Sequence, residues 1–358
     1  MASISDSNIP VPCGGAVSLK ASDLLPFTLE SVSTNAVYRA RIGMAGGPAT
    51  DIIYAEPLIH LVNRREFDFR LIKAAANLGV EVHENETFQS LEETAGGCIV
   101  HSDKDRYVTG FIVGADGVLS RVRGYLNLKW KPLLGITLEG EYPIAHNSHS
   151  WSDDGVSIDL GHVEKWYGWI FPKDNILSVG LGTFCPKYPG MKDLLEEYLT
   201  LKGLGSVKPQ ILQGFPIPAD GAVKKMLHGK LGLVVGDAAG LVDRFTGEGI
   251  YYALLSGKIA GEVMSEALEQ GRQDLSGYSR RVYSEITKKL RSGARLATLV
   301  YKFPRQAVEL VIARPELGQT LLEAVYGKQS YNQLYLSLLQ GLVMERLKSS
   351  SISFLFRT

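Results

Sequence analysis

The stretch LGLVVGDAAGLVDRFTGEGI, residues 231–250, decides the fold. Its apolar run from Leu231 to Val235 reads as a buried strand that breaks at Gly236 and Asp237. Beyond it, Ile250, Ala253, Leu254, Gly257, Ala260 and Met264 recur at helical spacing and predict a long amphipathic helix. A strand that delivers Gly236 and Asp237 to its carboxyl end places them where open α/β sheets bind ligands. The start of the following helix, Thr246 to Ile250, offers free backbone N–H groups, and its glycines allow close approach to an anionic or electron-rich ligand. Asp237 then suits ligand hydroxyls. The alternative is a tight strand–turn–helix in which Asp237 caps locally; GDAAG alone leaves the two even, and TGEGI at this distance favours the ligand.

FIVGADGVLS at 111–120, continuing to Arg123, repeats the pattern of a strand ending in a glycine-flanked Asp, here Asp116. Ser120 and Arg123 stand about one helical turn apart, and Arg123 is able to meet a phosphate or pair with an acid. YGWIFP at 167–172 places Tyr167, Trp169 and Phe171 on one face of a strand. A sheet core gives the same pattern as an aromatic wall beside a flat or apolar ligand. Pro12 to Gly15 (PCGG), with Ser18 after it, reads on its own as a turn with a buried Cys13.

Outside these segments, Phe67, Leu71, Ala74, Ala75 and Leu78 predict a helix from Glu66 that stops at Gly79. Strands are predicted at Val80–Val82, Cys98–Val100, Tyr107–Val113, Trp166–Phe171, Leu177–Leu181 and Val207–Phe215, and helices at Met191–Lys202 and from about Leu275 onward. Strands and helices alternating around a strand-rich middle point to an α/β chain with an inserted β-sheet domain. The expected divisions are 1–130, 131–220, 221–275 and 276–358.

Composition narrows the function. The 358 residues carry 38 Lys+Arg against 38 Asp+Glu, a neutral balance that argues against a nucleic-acid binder. With 45% hydrophobic residues the chain is no disordered polymer. No apolar run reaches the roughly 18 residues of a bilayer-spanning helix, and no secretory signal opens the sequence. Cys13, Cys98 and Cys185 are far apart and odd in number, which excludes a disulfide scaffold and fits a reducing compartment. The seven histidines show no HExxH spacing and no GxSxG accompanies them, so metal and serine-hydrolase chemistry are not expected. His146 and His149 read as a solvated loop pair.

Taken together, these segments resemble the geranylgeranyl reductase family of flavoproteins, a branch of the group that contains the aromatic hydroxylases. PCGGAVS at 12–18 is similar to the family's segment against the flavin ring, and Arg64 with Phe67 and Asp68 to its R-x-x-F-D step. GADGVLSRVR at 114–123 and GDAAGLVDRFTGEGI at 236–250 are similar to its two Asp–Gly signatures, and YGWIFP separates the family from its hydroxylase relatives. The resemblance implies a Rossmann-like three-layer FAD-binding domain, an inserted antiparallel sheet for substrate and a helical C-terminus. It implies FAD contacts at Cys13, Gly14, Gly15, Arg64, Asp116, Gly236, Asp237, Gly247, Glu248, Gly249 and Ile250, and a substrate wall of Tyr167, Trp169 and Phe171; it assigns no proton donor.

The implied activity is hydride transfer from reduced flavin to an isoprenoid C=C bond of a lipid, diphosphate or chlorophyll-type substrate, with NAD(P)H or ferredoxin as reductant. The expected location is cytoplasmic, with peripheral membrane contact as an option. The family opens with a βαβ unit carrying GxGxxG, which takes roughly 30 residues or more. Only 11 residues precede Pro12 and no GxGxxG precedes a helix, so the chain is expected to lack that unit, through a start-site error or a truncation. A flavin monooxygenase or halogenase of the same fold, and a remnant that does not hold FAD, are the alternatives.

Overall fold

The computed structural model describes residues 13–144, 155–185, 187–220 and 223–355, with the side chains of 344–355 left aside. Pro12, His146 and His149 lie outside the described residues. The chain forms two compact units and passes between them repeatedly. The first holds the residues up to Thr34, His60–Gly135 and Phe215–Arg291; the second holds Asn35–Ile59, Ile136–Gly214 and the residues from Ser292.

β1 (Ala16–Ser18), β2 (Ser33–Val37) and β5 (Ile59–Val62) form a sheet in the order β1-β5-β2. Helix α1 (Arg64–Asn77) follows directly, its N-terminus capped by Asn63, whose side-chain oxygen accepts from Arg65 N at 3.0 Å. Phe67 is the fully buried residue of α1, while Leu78 is 87% exposed. Val80–Val82, predicted as a strand, is irregular and exposed, because it pairs with no strand among the described residues. A meander of β6 (Phe88–Thr94), β7 (Gly97–Ser102) and β8 (Arg106–Thr109) comes next.

β9 (Ile112–Gly114) then pairs in parallel with β15 (Gly232–Val234), with Gly232 opposite Ile112. A Cβ at Gly232 would stand 1.9 Å from the Ile112 carbonyl oxygen, so only glycine allows this approach. The pairing sets the turns after the two strands side by side, the first leading into α2 (Arg121–Tyr125). The core beneath them joins Phe111, Val122, Leu233 and Val234 to Tyr252, Ile259 and Tyr278 of the helices that follow β15.

The second unit is built on a seven-stranded sheet in the order β14-β10-β13-β12-β11-β3-β4. Its strands are β3 (Arg39–Met44), β4 (Ala49–Ile53), β10 (Leu134–Pro143), β11 (Val156–Leu160), β12 (Tyr167–Lys173), β13 (Ile176–Thr183) and β14 (Ile211–Pro218). Helix α3 (Met191–Leu201) covers one face, packing Leu195, Tyr198 and Leu199 against Leu138, Ile170, Val179 and Leu181. By the strand period of two, Tyr167, Trp169 and Phe171 project from the other face. The chain continues in the first unit with α4 (Ile250–Glu269) and α5 (Ser276–Val282), passes a π-helical turn at Tyr283–Thr287, and runs through α6 (Lys288–Lys302), α7 (Pro304–Ala313), α8 (Pro315–Val325) and α9 (Tyr331–Leu355).

Two glycines of the first unit are expected to respond oppositely to alanine. Gly232→Ala forces β15 off β9 and should cost about 3 kcal/mol. At Gly257, inside α4, a Cβ meets no atom within 4 Å, so Gly257→Ala should add about 0.5–1 kcal/mol. Urea unfolding of the two variants measures both, and an unchanged midpoint for Gly232→Ala would break the pairing described.

Candidate functional site

The first unit brings most of the expected cofactor residues to one place. Gly236 takes φ +51°, a conformation that favours glycine, and its N–H donates to Ser256 Oγ at 2.9 Å. Asp237 follows, and a Cβ added at Gly249 would stand 3.4 Å from its Oδ1, so the carboxylate sits against the start of α4. Burial pushes the Asp237 carboxyl above the ordinary carboxylate range, and the Arg64 guanidinium draws it back down. Arg64 is the hub. Its Nε and Nη2 donate to Asp68 at 3.2 and 3.0 Å, and it hydrogen-bonds to Cys13. Burial opposes its charge, but Cys13 and Asp68 outweigh that and hold it above its usual value.

Cys13, Gly14 and Gly15 lead into β1, anchored where Val62 N donates to the Gly15 carbonyl at 2.9 Å. Gly247, Glu248, Gly249 and Ile250 form the entry to α4. Gly249 is the N-cap and no side chain caps it, which leaves the first N–H groups of the helix available to a ligand. Glu248, by contrast, directs its carboxylate to Ser18 Oγ at 2.5 Å and Lys20 Nζ at 2.5 Å, pinning the helix entry to β1.

The sequence reading missed Asp243, which shapes this entry. It is fully buried; its N–H donates to the Glu248 carbonyl at 2.9 Å, its carbonyl accepts from Gly247 N at 2.7 Å, and its Oδ1 accepts from Phe245 N at 2.8 Å. The signal was present in the spacing of Asp243 and Phe245, since Asp readily bonds the backbone two residues on.

Asp116 stands at the end of β9. Its Oδ2 caps α2, accepting from Arg121 N at 2.7 Å and Val122 N at 3.1 Å, while its Oδ1 is buried with no hydrogen-bond partner among the described residues. Arg123 contacts protein rather than projecting outward. It donates to the Ala238 carbonyl at 2.9 Å and the Val118 carbonyl at 3.1 Å, tying the two Asp turns together. Trp130 stacks on it, with the Arg123 Cζ 4.8 Å from the ring centre.

Tyr167, Trp169 and Phe171 belong to the second unit. They line up on β12 with ring centres 6.1 and 6.5 Å apart, and all three are buried.

A turn with a half-buried Asp237, an uncapped helix entry and a Cys–Gly–Gly segment held by Arg64 fits the ring and ribityl half of a flavin. Asp116 Oδ1 stands beside them as a buried acceptor with no hydrogen-bond partner among the described residues. Among the described residues no glycine-rich strand–helix turn of the GxGxxG kind stands ready for an ADP half.

Because the native Asp237 pKa lies above its unfolded value, this group's stabilisation is present at low pH and is lost as the pH rises through the native pKa. Arg64 limits that loss. Arg64→Met is therefore expected to destabilise the protein more near pH 7 than near about pH 4, and Asp237→Asn in the same background to remove most of that pH dependence. Denaturant midpoints across pH test this; a pH-independent difference would remove Arg64 as the counter-charge.

No protein-family model matches the chain. The digeranylgeranylglycerophospholipid reductase of Methanocaldococcus jannaschii is 32% identical over 279 residues, 73% of this chain and 69% of its own. The geranylgeranyl diphosphate reductase of Rhodobacter capsulatus is 28% identical over 273 residues, 73% of this chain and 68% of its own. Among solved structures, a geranylgeranyl bacteriochlorophyll reductase-like protein of Thermoplasma acidophilum matches with TM-score 0.77 at 20% identity, over 93% of this chain and 89% of its own. A flavin-dependent brominase matches with TM-score 0.70 at 14% identity, over 93% and 90%. These structures share the fold, a mixed α/β flavoenzyme fold with a helical C-terminus. With a relative of 32% identity covered over more than two thirds of its length, and the motifs standing in the family's order, the chain belongs to the geranylgeranyl reductase family.

Proposed function

We propose that this protein uses FAD to reduce carbon–carbon double bonds of an isoprenoid lipid. The observation that carries the reading is the convergence of Cys13, Arg64 and Asp237 with the uncapped start of α4 in one unit. When bound, reduced flavin supplies a hydride to one alkene carbon, and a proton reaches the other. Asp237 accepts hydrogen bonds from ribityl hydroxyls, and Asp116 Oδ1 accepts from another ligand hydroxyl. The N–H groups following Gly249, from Ile250 on, hold the electronegative edge of the cofactor, while the N–H groups of Gly236, Gly247 and Glu248, spent on Ser256, Asp243 and Thr246, fix the loop around it. Cys13, Gly14 and Gly15 lie against the ring, with Arg64 fixing the thiol and the Asp237 carboxylate in one arrangement.

Tyr167, Trp169 and Phe171 receive the apolar chain and exclude water from it. The substrate carries a geranylgeranyl chain on a diphosphate, a glycerophospholipid or a chlorophyll-type ring, and electrons come from a reductant such as NAD(P)H or ferredoxin. No helix among the described residues is long and apolar enough to cross a membrane. Contact with a membrane surface is therefore proposed as peripheral, through the exposed Leu336, Leu339 and Val343 on one side of α9. The fold likeness to the brominase supports a second reading, a flavin monooxygenase or halogenase.

The visible spectrum of the protein with added FAD tests the proposal. A flavin band that dithionite bleaches, and that a geranylgeranyl substrate restores without oxygen, is the expected outcome. Restoration that requires oxygen, with a halogenated or hydroxylated product, would favour the second reading, and failure to take up FAD would overturn both. Asp237→Ala is expected to weaken FAD binding by about tenfold to a hundredfold, the cost of a lost hydrogen bond to a charged group.

A further inference from the structure

We infer that Gly180, Ser178 and Glu139 orient Trp169 and thereby set which isoprenoid chain lengths the aromatic wall accepts; this rests on the reading of that wall as the isoprenoid-binding surface. Strand register puts these residues together. Trp169 on β12 pairs with Gly180 on β13, and Gly180 pairs with Glu139 on β10, so all three share one sheet face. Ser178, two residues before Gly180 on β13, shares that face. Leu138, Val179 and Ile170 point the other way, into the core under α3.

β13 has little side chain to offer on the aromatic face. A Cβ at Gly180 would stand 2.2 Å from Trp169 Cζ2, and one at Gly182 would stand 2.0 Å from Trp166 Cε3. The two indoles therefore lie down over β13, in space that any larger residue would fill. Trp166 is held by packing alone, against Phe184 and Tyr167 at 4.7 and 4.9 Å, and its Nε1 has no hydrogen-bond partner among the described residues.

Trp169 differs. Its Nε1–H points to Ser178 Oγ at 3.4 Å, and Ser178 Oγ donates to Glu139 Oε1 at 2.7 Å. Indole nitrogen only donates and a carboxylate only accepts, so this chain runs in one direction and fixes the serine rotor between them. Ser178 and Glu139 are both buried. Gly180 supplies the room for a flat ring, and the Glu139–Ser178 chain selects which way its N–H end turns. A wall residue held flat presents an indole face of constant position, and an apolar slot discriminates chain length only as well as its walls stay in place. Ser178, Glu139 and Gly180 are thus positioning residues that act through Trp169.

The test uses the full chain loaded with FAD, with geranyl, farnesyl and geranylgeranyl diphosphate as probes. Binding is read by tryptophan fluorescence quenching, turnover by anaerobic flavin reoxidation, and indole packing by near-ultraviolet circular dichroism. Ser178→Ala should change the near-ultraviolet spectrum and flatten the ratios of Kd among the three chains by about threefold or more, with kcat for the best substrate changing less. Glu139→Gln keeps an acceptor for the serine and should retain most of the selectivity. Gly180→Ala should lift the ring and weaken the longest chain most; should that variant fail to fold, the Ser178 and Glu139 variants still decide.

Wild-type length ratios in Ser178→Ala would overturn the inference, as would a wild-type protein whose fluorescence none of the three probes quenches. Length-selective quenching of the wild-type protein that Ser178→Ala flattens, with no flavin reoxidation in either, would instead overturn the reductase reading and leave the positioning role standing.

Discussion

A guanidinium buried between two turns is the contact on which the first unit depends. Arg123 reaches from α2 to the carbonyl of Ala238 in the turn after β15, and its other nitrogen closes on Val118 in the turn that joins β9 to α2. Burial lowers the proton affinity of this group, and the carboxylates of Asp116 and Asp220 oppose that shift. Removing the guanidinium would leave two buried carbonyls without a donor, at a cost of about 1–3 kcal/mol each. Behind the same turn, Lys225 pairs with Asp220 at 2.5 Å and lies 4.2 Å from the Trp130 ring centre. A Cβ at Gly240 would meet both charged groups, at 2.7 and 2.9 Å. The loop that carries Asp237 is thus braced by cations, Arg123 at the Ala238 carbonyl and Lys225 beside Gly240.

The second unit uses a different constraint, the absence of side chains. On β13 the face opposite α3 presents Ser178, Gly180 and Gly182, and two tryptophans occupy the space so created. Further along the sheet the same face is covered by helices. A Cβ at Gly318 of α8 would stand 3.0 Å from Ile52, whose partner Ala40 shares the face of Val156 and Phe171. Aromatic floor and helical cover therefore follow one another across a single sheet face. The buried Asp159 of this unit is paired: it accepts from Tyr198 at 2.6 Å and from Lys202 at 2.7 Å.

What the sequence made legible was whatever local pattern decides. Apolar runs ending in Gly–Asp marked β9 and β15, and period-two aromatics marked β12, because strand and turn chemistry act over a few residues. The helix predicted from Glu66 to Leu78 begins two residues earlier, at Arg64, where the Asn63 cap stands. The strand predicted over Val207–Phe215 lies at Ile211–Pro218 and runs through two prolines, which its place at the edge of the seven-stranded sheet permits. Tyr107–Val113 splits into two strands in different sheets, a change of partner that no local pattern encodes. The same holds for Glu139 and Ser178, which read as ordinary strand residues until register sets them beside Trp169. It holds too for Ser18 and Lys20, whose acid stands 230 and 228 positions further along the chain.

The two strand-end aspartates show why matching motifs need not play matching parts. Asp116 and Asp237 each follow an apolar strand and stand among glycines, and in sequence they are close to interchangeable. Their surroundings separate them. α2 begins five residues after Asp116, close enough for its free N–H groups to take one carboxylate oxygen; that oxygen serves the fold, and the other stays buried without a partner. After Asp237 the chain makes a single 3₁₀ turn and then a loop shaped by Asp243, so that α4 begins only at Ile250. Its entry approaches the Asp237 carboxylate at Gly249. Asp237 is left with burial that raises its pKa and one distant-in-sequence cation, Arg64, that lowers it. A carboxylate desolvated in this way is held less tightly by the protein than one spent on a helix cap. On the proposed function it is the better placed of the two to accept hydrogen bonds from the cofactor, which would supply the donors that its own fold withholds.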